Sequence, residues 1–264
     1  MKRRSFLAAT AVGAAAGATT ARVAAAPSGK TFVLVHGAWH GGWCWSKVAA
    51  ILRARGHSVL TPTHTGLGER SHLLSRTIDL DVCVTDIANV LKWEDLKDVI
   101  LVGHSFGGHA TSGVADRMPE RIRHLVYLDA VILENGQTAF SDLPKEFVEG
   151  RIKLAQESSG GLSLPPPPAA IFGITNREQA NWVQSHLTPH PFATLTSPLK
   201  LANKVGNGLP ATYIVCTDPL FPTLESSRDW VKAHGWKTLE IAAGHDAMVI
   251  APDRLADILD NDTA

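Results

Sequence analysis

Short apolar runs alternate with stretches of helical periodicity along most of this chain. Thr31-Phe32-Val33-Leu34-Val35 is continuous, rich in β-branched side chains and too short for a helix, which predicts a strand buried on both faces. Residues 46–55 then read as a helix closed by Gly56, and Ser58-Val59-Leu60-Thr61 as a second strand stopped by Pro62. Apolar residues recur at helical spacing over residues 79–91, ahead of a third strand at Val99-Ile100-Leu101-Val102. A helix over residues 106–118 follows. Further strands are expected at Leu125-Val126-Tyr127-Leu128, Thr212-Tyr213-Ile214-Val215 and Thr238-Leu239-Glu240-Ile241, with helices over residues 225–234 and 252–259. Strict strand–helix alternation implies an α/β class, with a doubly wound, mainly parallel sheet covered on both faces. Crossovers in such a sheet are right-handed, and ligands sit at the carboxyl ends of the strands near the point where strand order reverses.

One stretch breaks the pattern. Residues 132–209 contain no clear strand, and Pro165-Pro166-Pro167-Pro168 lies in their middle. A structureless loop of that length does not suit a compact domain. The segment is read as a small, mostly helical cap inserted between the fourth and fifth strands, with the stiff proline run as a connector inside it.

The N-terminus has a different character. Met1-Lys2-Arg3-Arg4-Ser5-Phe6-Leu7 sets paired arginines ahead of an Ala-rich run, and Val23-Ala24-Ala25-Ala26 offers small residues for cleavage. The pattern resembles a twin-arginine export signal over residues 1–26, leaving one domain over residues 27–264 and a periplasmic or secreted product. Gly13, Gly17 and the Ala/Thr content make the run too weakly apolar for a retained span, so no stable membrane association is expected after its removal. Lys+Arg and Asp+Glu both number 25, which removes the basic surplus that nucleic-acid binding requires. Cys44, Cys83 and Cys216 match no zinc or CxxC spacing and are expected as core thiols, although one pair is not excluded after export.

The chemistry gathers where the predicted strands end. Gly103-His104-Ser105-Phe106-Gly107 matches G-x-S-x-G, a weak pattern alone, but here it stands between a predicted strand and a predicted helix. That context defines a tight turn that lifts a serine oxygen clear of the sheet at the positive end of a helix. A serine hydroxyl needs a base. Of the twelve histidines, His245, just after the sixth strand, has the place and chain order for that role. Attack on an ester develops charge on the carbonyl oxygen, which backbone N–H groups must meet. Phe106, directly after the nucleophile, supplies one, and the loop after the first strand, at Ala38, the other. His186 and His190 have i, i+4 spacing, but Pro189 interrupts it, so no metal or other cofactor is expected. Trp39, Trp43, Trp45, Trp182 and Phe192 are candidates for an apolar pocket wall or for packing. Glu69 and Arg70 read as a pair on the surface or just behind the site.

These residues also carry a resemblance. Phe32-Val33-Leu34-Val35-His36-Gly37-Ala38-Trp39-His40-Gly41-Gly42-Trp43 resembles the opening of the plant methyl-salicylate esterase and hydroxynitrile lyase group of α/β-hydrolases. Gly66-Leu67-Gly68-Glu69-Arg70-Ser71-His72, Tyr127-Leu128-Asp129-Ala130 and Gly244-His245-Asp246-Ala247-Met248 resemble bacterial esterases related to that group. The resemblance implies an α/β-hydrolase core with a small cap and no cofactor. Lyase members carry threonine where this chain has Gly37, and a lysine directly after the catalytic histidine, where this chain has Asp246; its charge is expected to oppose a cyanide anion. Dehalogenase relatives need an aspartate at the position of Ser105. Two carboxylates compete for the third triad place. Asp218 follows the fifth strand, where most of the superfamily puts the acid, but in the plant esterases it falls one residue later, at the position of Pro219. Asp129 ends the fourth strand, where some haloalkane dehalogenases carry theirs, and is the preferred acid.

The expected function is a serine carboxylesterase acting on small to medium esters through an acyl-enzyme, with Ser105, His245 and Asp129 as the triad. A hydroxynitrile lyase is the alternative within the fold, and a non-catalytic ligand receptor the alternative outside catalysis. The expected partner is a small-molecule ester; oligomeric state is not legible.

Overall fold

A computed structural model describes residues 29–262, and the export-signal reading of residues 1–26 lies outside them. Six parallel strands form the central sheet: β1 (Thr31–Val35), β2 (Ser58–Leu60), β3 (Val99–His104), β4 (Ile122–Leu128), β7 (Ala211–Cys216) and β8 (Lys237–Ile241). Between β4 and β7, β5 (Ser163–Leu164) and β6 (His190–Pro191) make a two-stranded antiparallel pair of their own. The helices are α1 (Ser46–Ala54), α2 (Leu80–Trp93), α3 (Gly107–Arg117), α4 (Lys145–Ser159), α5 (Arg177–His186), α6 (Ala193–Thr196), α7 (Glu225–Ala233), α8 (Ala247–Ile250) and α9 (Pro252–Asn261). The strands stand within a few residues of their expected places. β4 starts earlier than its apolar run, because Ile122 already pairs with Val99.

Successive side chains of a strand point to opposite faces, and both faces here are dry. Val33, Val35, Leu101 and Tyr127 pack with Leu80, Ile87 and Val114 of α2 and α3 on one side. Phe32, Leu34, Ile100 and Val126 pack with Val48, Leu52 and Leu255 of α1 and α9 on the other. Wholly buried Val, Leu and Ile side chains each stabilise by about 1.5–3 kcal/mol relative to exposure, an upper bound for a chain already partly collapsed when unfolded. This two-sided burial explains why the strands read as unbroken apolar runs. Local chemistry sets the helix ends: Asp79 accepts from the Val82 amide at 3.0 Å at the start of α2, and Gly160 closes α4 at φ +61.

The sheet order β2-β1-β3-β4-β7-β8 reverses direction between β1 and β3. Parallel pairing brings the carboxyl ends of β1, β3, β4 and β8 to one edge, and the switch point lies between the loops after β1 and β3. The segment between β4 and β7 arches over that edge. Its contact with the β1 loop is specific: the Thr188 amide donates to the Trp39 carbonyl at 3.0 Å, and the Trp39 indole donates to the Leu164 carbonyl at 3.1 Å.

Candidate active site

Ser105 stands one residue past β3 at φ +52, in the left-handed region that an L-residue enters only when its surroundings hold it there. The restraints are visible. Its amide donates to the Leu128 carbonyl at 3.2 Å, and its carbonyl accepts from Gly108 and Val131, both at 3.1 Å. The flanking glycines are required by close approach: a Cβ on Gly103 would lie 2.3 Å from Thr111 Oγ1, and one on Gly107 would lie 2.8 Å from the Val35 and His36 carbonyl oxygens.

Asp129 occupies the equivalent place after β4, also at positive φ (+40), with its amide donating to the Ile214 carbonyl at 2.8 Å. The buried Tyr213 hydroxyl donates to the Ala130 carbonyl at 2.8 Å and fixes the turn. Asp129 is wholly buried. Its Oδ2 accepts from His245 Nδ1 at 2.7 Å, and its Oδ1 faces the Cys216 amide at 3.4 Å. That hydrogen bond places the proton of neutral His245 on Nδ1 and leaves Nε2 as the basic nitrogen. The imidazole is clamped, with the Phe221 ring stacked on it at 4.0 Å and His104 tilted against it at 4.6 Å. Asp218 is exposed, and no bond joins it to His245 among the described residues.

Ser105 and His245 line one cavity of about 350 Å³ with Ala38 and Phe106. The aromatics that the sequence offers for the wall or for packing divide between the two. Trp39 takes part, but Trp45 is buried in the core, Trp43 and Trp182 pack edge to face on each other at 5.1 Å, and Phe192 packs near Phe140. The other rings at the cavity are Phe140, Phe147, Phe172 and Phe221. Phe147 lies in α4, and the other three stand outside the α-helices and strands, where no periodicity reveals which way a side chain faces.

The histidines around the serine are held by definite proton assignments. His36 Nδ1 donates to the Gly37 carbonyl at 2.8 Å, while its Nε2 accepts from the His64 amide at 3.1 Å. Burial, reinforced by His64, keeps His36 well below its ordinary range and neutral. His190 accepts from the Trp39 amide at 3.3 Å and bonds the Thr194 hydroxyl at 2.8 Å; burial pushes it down to about 3. It therefore holds the β1 loop without introducing charge. No group of side chains suited to a metal ion occurs among the described residues. Cys44, Cys83 and Cys216 are free and buried. Glu69 and Arg70 do not pair with each other: Glu69 accepts from Thr63, and Arg70 reaches Asp86 at 3.5 Å. Asp246 is the clearest departure. Its carboxylate does not line the cavity but lies buried against His40 at 3.0 Å, so it presents no free charge to a bound anion.

A strained serine between close-packed glycines, and a histidine tied to a buried aspartate at the same sheet edge, are marks of a serine hydrolase built on a doubly wound sheet. Residues 32–258 match the model of the alpha/beta hydrolase family, and the chain belongs to that family. It is 40% identical over 240 residues to the carbendazim hydrolyzing esterase of Nocardioides sp. (strain SG-4G), a match covering 86% of this chain and 97% of that protein. Methylesterase 10 of Arabidopsis thaliana is 28% identical over 254 residues, covering 86% and 90%. Among solved structures, an extracellular alpha/beta-hydrolase from a Paenibacillus species superposes with a TM-score of 0.76 at 26% identity, covering 87% of this chain and 97% of that one.

Proposed function

We propose that this chain is a serine carboxylesterase with Ser105 as nucleophile, His245 as general base and acid, and Asp129 as the residue that orients it. The observation that carries the reading is the 2.7 Å His245–Asp129 hydrogen bond, at a cavity whose wall also includes Ser105. Ser105 Oγ attacks the ester carbonyl carbon as His245 Nε2 takes its proton, and Asp129 stabilises the imidazolium that forms. The amides of Ala38 and Phe106 meet the charge developing on the carbonyl oxygen. Collapse expels the alcohol, which takes the proton from His245. Water then attacks the acyl-enzyme by the same route and releases the acid and Ser105.

The wall of Trp39, Phe140, Phe172, Leu133 and Leu195 suits esters with an apolar or aromatic acyl or alcohol part. Relatives named as esterases support hydrolysis over cyanohydrin cleavage. Position 37 supports it as well, since any Cβ there would stand 2.9 Å from the Ser105 Cβ. The purified protein is expected to hydrolyse p-nitrophenyl acetate and to release no cyanide from mandelonitrile. Cyanide release with no ester turnover would establish the lyase, and ligand binding without turnover of either would establish a receptor.

We propose also that the chain is exported through a twin-arginine pathway, on the strength of Arg3-Arg4 before the Ala-rich run. Substituting both arginines with lysine is expected to leave precursor in the cytoplasm. Unchanged export by cell fractionation refutes the reading.

A further inference from the structure

His40 is buried at 1% exposure and Asp246 at 0%, and neither has a part in the reaction as written above. His40 Nδ1 lies 2.7 Å from the Ala38 carbonyl oxygen, and His40 Nε2 lies 3.0 Å from Asp246 Oδ2. A carbonyl oxygen only accepts, and so does a carboxylate. Both ring nitrogens therefore carry hydrogen, and the ring is an imidazolium facing its counter-ion. One end of the pair grips Ala38, in the loop after β1. The other is the residue directly after His245, in the loop after β8.

We propose that His40 and Asp246 are positioning residues, a buried imidazolium–carboxylate pair that locks the oxyanion loop to the loop of the catalytic base. The proposal rests on the esterase reading of Ser105 and His245. Buried ion pairs add little net stability, because desolvation cancels most of their attraction. What this one supplies is register between two loops whose reactive groups must be held to a fraction of an ångström. The surroundings fix both partners. The His40 ring stacks on Trp43 at 5.2 Å and meets the edge of Phe172 at 5.1 Å. The Asp246 amide donates to the Phe172 carbonyl at 3.1 Å. Among the described residues Asp246 Oδ1 has no hydrogen-bond partner; His104 Nε2 lies 3.9 Å from it, already committed to the His245 carbonyl at 3.0 Å. His40 is thus the hydrogen-bonded partner of this buried carboxylate.

Several titratable groups face His40. They are Asp246 from the loop after β8, His104 at the end of β3, His36 after β1 and His190 in β6. Burial first, and then neighbouring histidines, chiefly His64 for His36, His245 for His104 and His36 for His190, hold the three low and neutral. Burial also works against the charge on His40, but Asp246 and the Ala38 carbonyl outweigh it and raise its pKa. Burial works against the charge on Asp246 in turn, and His40 outweighs it and lowers its pKa. The contribution of the pair is therefore complete between the two unfolded-state values, roughly pH 4 to 6.5. It is lost as pH rises through the raised value of His40, and as pH falls through the lowered value of Asp246.

The test combines two readouts on the whole protein, wild type, Asp246→Asn, His40→Gln and the double variant, each checked for folding by circular dichroism. In histidine-selective ¹⁵N NMR at neutral pH, one ring is expected to show both nitrogens protonated. Its signal should vanish in His40→Gln and become that of a neutral ring in Asp246→Asn. This readout needs no activity, so it stands even if the esterase reading fails. With p-nitrophenyl acetate, Asp246→Asn is expected to lose about tenfold or more in kcat with KM little changed, and to lose activity at lower pH on the alkaline side. The double variant, which removes both charges, is expected to be no worse than the poorer single variant. A neutral His40 in the wild type overturns the proposal. So does a folded Asp246→Asn with wild-type kcat and pH profile, or independent losses that multiply in the double variant. If the single variants do not fold, the double variant and the wild-type NMR signal still decide it.

Discussion

Replacing Ser105 with alanine is expected to remove ester hydrolysis while leaving the protein folded and as stable as before. In the proposed mechanism the oxygen that attacks the carbonyl carbon has no substitute. The neighbouring serine at the cavity, Ser226, is joined to no base by any hydrogen bond among the described residues. Loss of a triad nucleophile costs ~10³-fold or more in kcat, and what remains reflects binding and the oxyanion donors acting on water. Stability should not move, because the strain at this position belongs to the backbone. Alanine must adopt the same φ of +52, and the bonds that enforce it run from main-chain atoms of Ser105 to Leu128, Gly108 and Val131. The measurements are p-nitrophenyl acetate turnover and thermal melting followed by circular dichroism. A folded variant with near wild-type turnover removes Ser105 from the mechanism.

The second large effect separates the two carboxylates. Asp129→Asn is expected to cost on the order of 10⁴-fold in kcat, and Asp218→Asn almost nothing. At Asp129 an amide keeps the shape but not the charge. It can present N–H to His245 Nδ1, which then holds its proton on Nε2 and cannot accept one from Ser105. The geometry allows no easy escape: Asp129 is wholly buried, and its oxygens are directed at His245 and the Cys216 amide. Asp218 is exposed, so its substitution leaves the imidazole untouched. Measuring both folded variants decides the matter. An inactive Asp218→Asn beside a nearly normal Asp129→Asn reverses the assignment.

The strands were legible because burial on both faces leaves a one-dimensional trace, as in Thr31–Val35 and Val99–His104. The elbow was legible because its chemistry is local. Gly103, Ser105 and Gly107 must stand two residues apart within one five-residue stretch for the turn to close, so their spacing survives in sequence. His245 could be singled out among twelve histidines by its place after the last strand.

The acid was only half legible. Asp129 and Asp218 both follow strands, and β4 and β7 are neighbours in the sheet, so sequence placed two carboxylates within reach of one imidazole. The turn after β4 selects between them, through a positive φ and the Tyr213 hydroxyl, neither of which leaves a mark on residue spacing. The phenylalanines of the cavity and the His40–Asp246 pair were hidden for the same reason. His40 and Asp246 lie 206 residues apart. By itself the sequence determined the alternation of elements, the sheet they form, and the serine and histidine that its edge presents, because these depend on local pattern and strand order. Only the tertiary structure decided which carboxylate is hydrogen-bonded to His245, which rings wall the cavity and which buried charges face each other, because those depend on where irregular backbone turns.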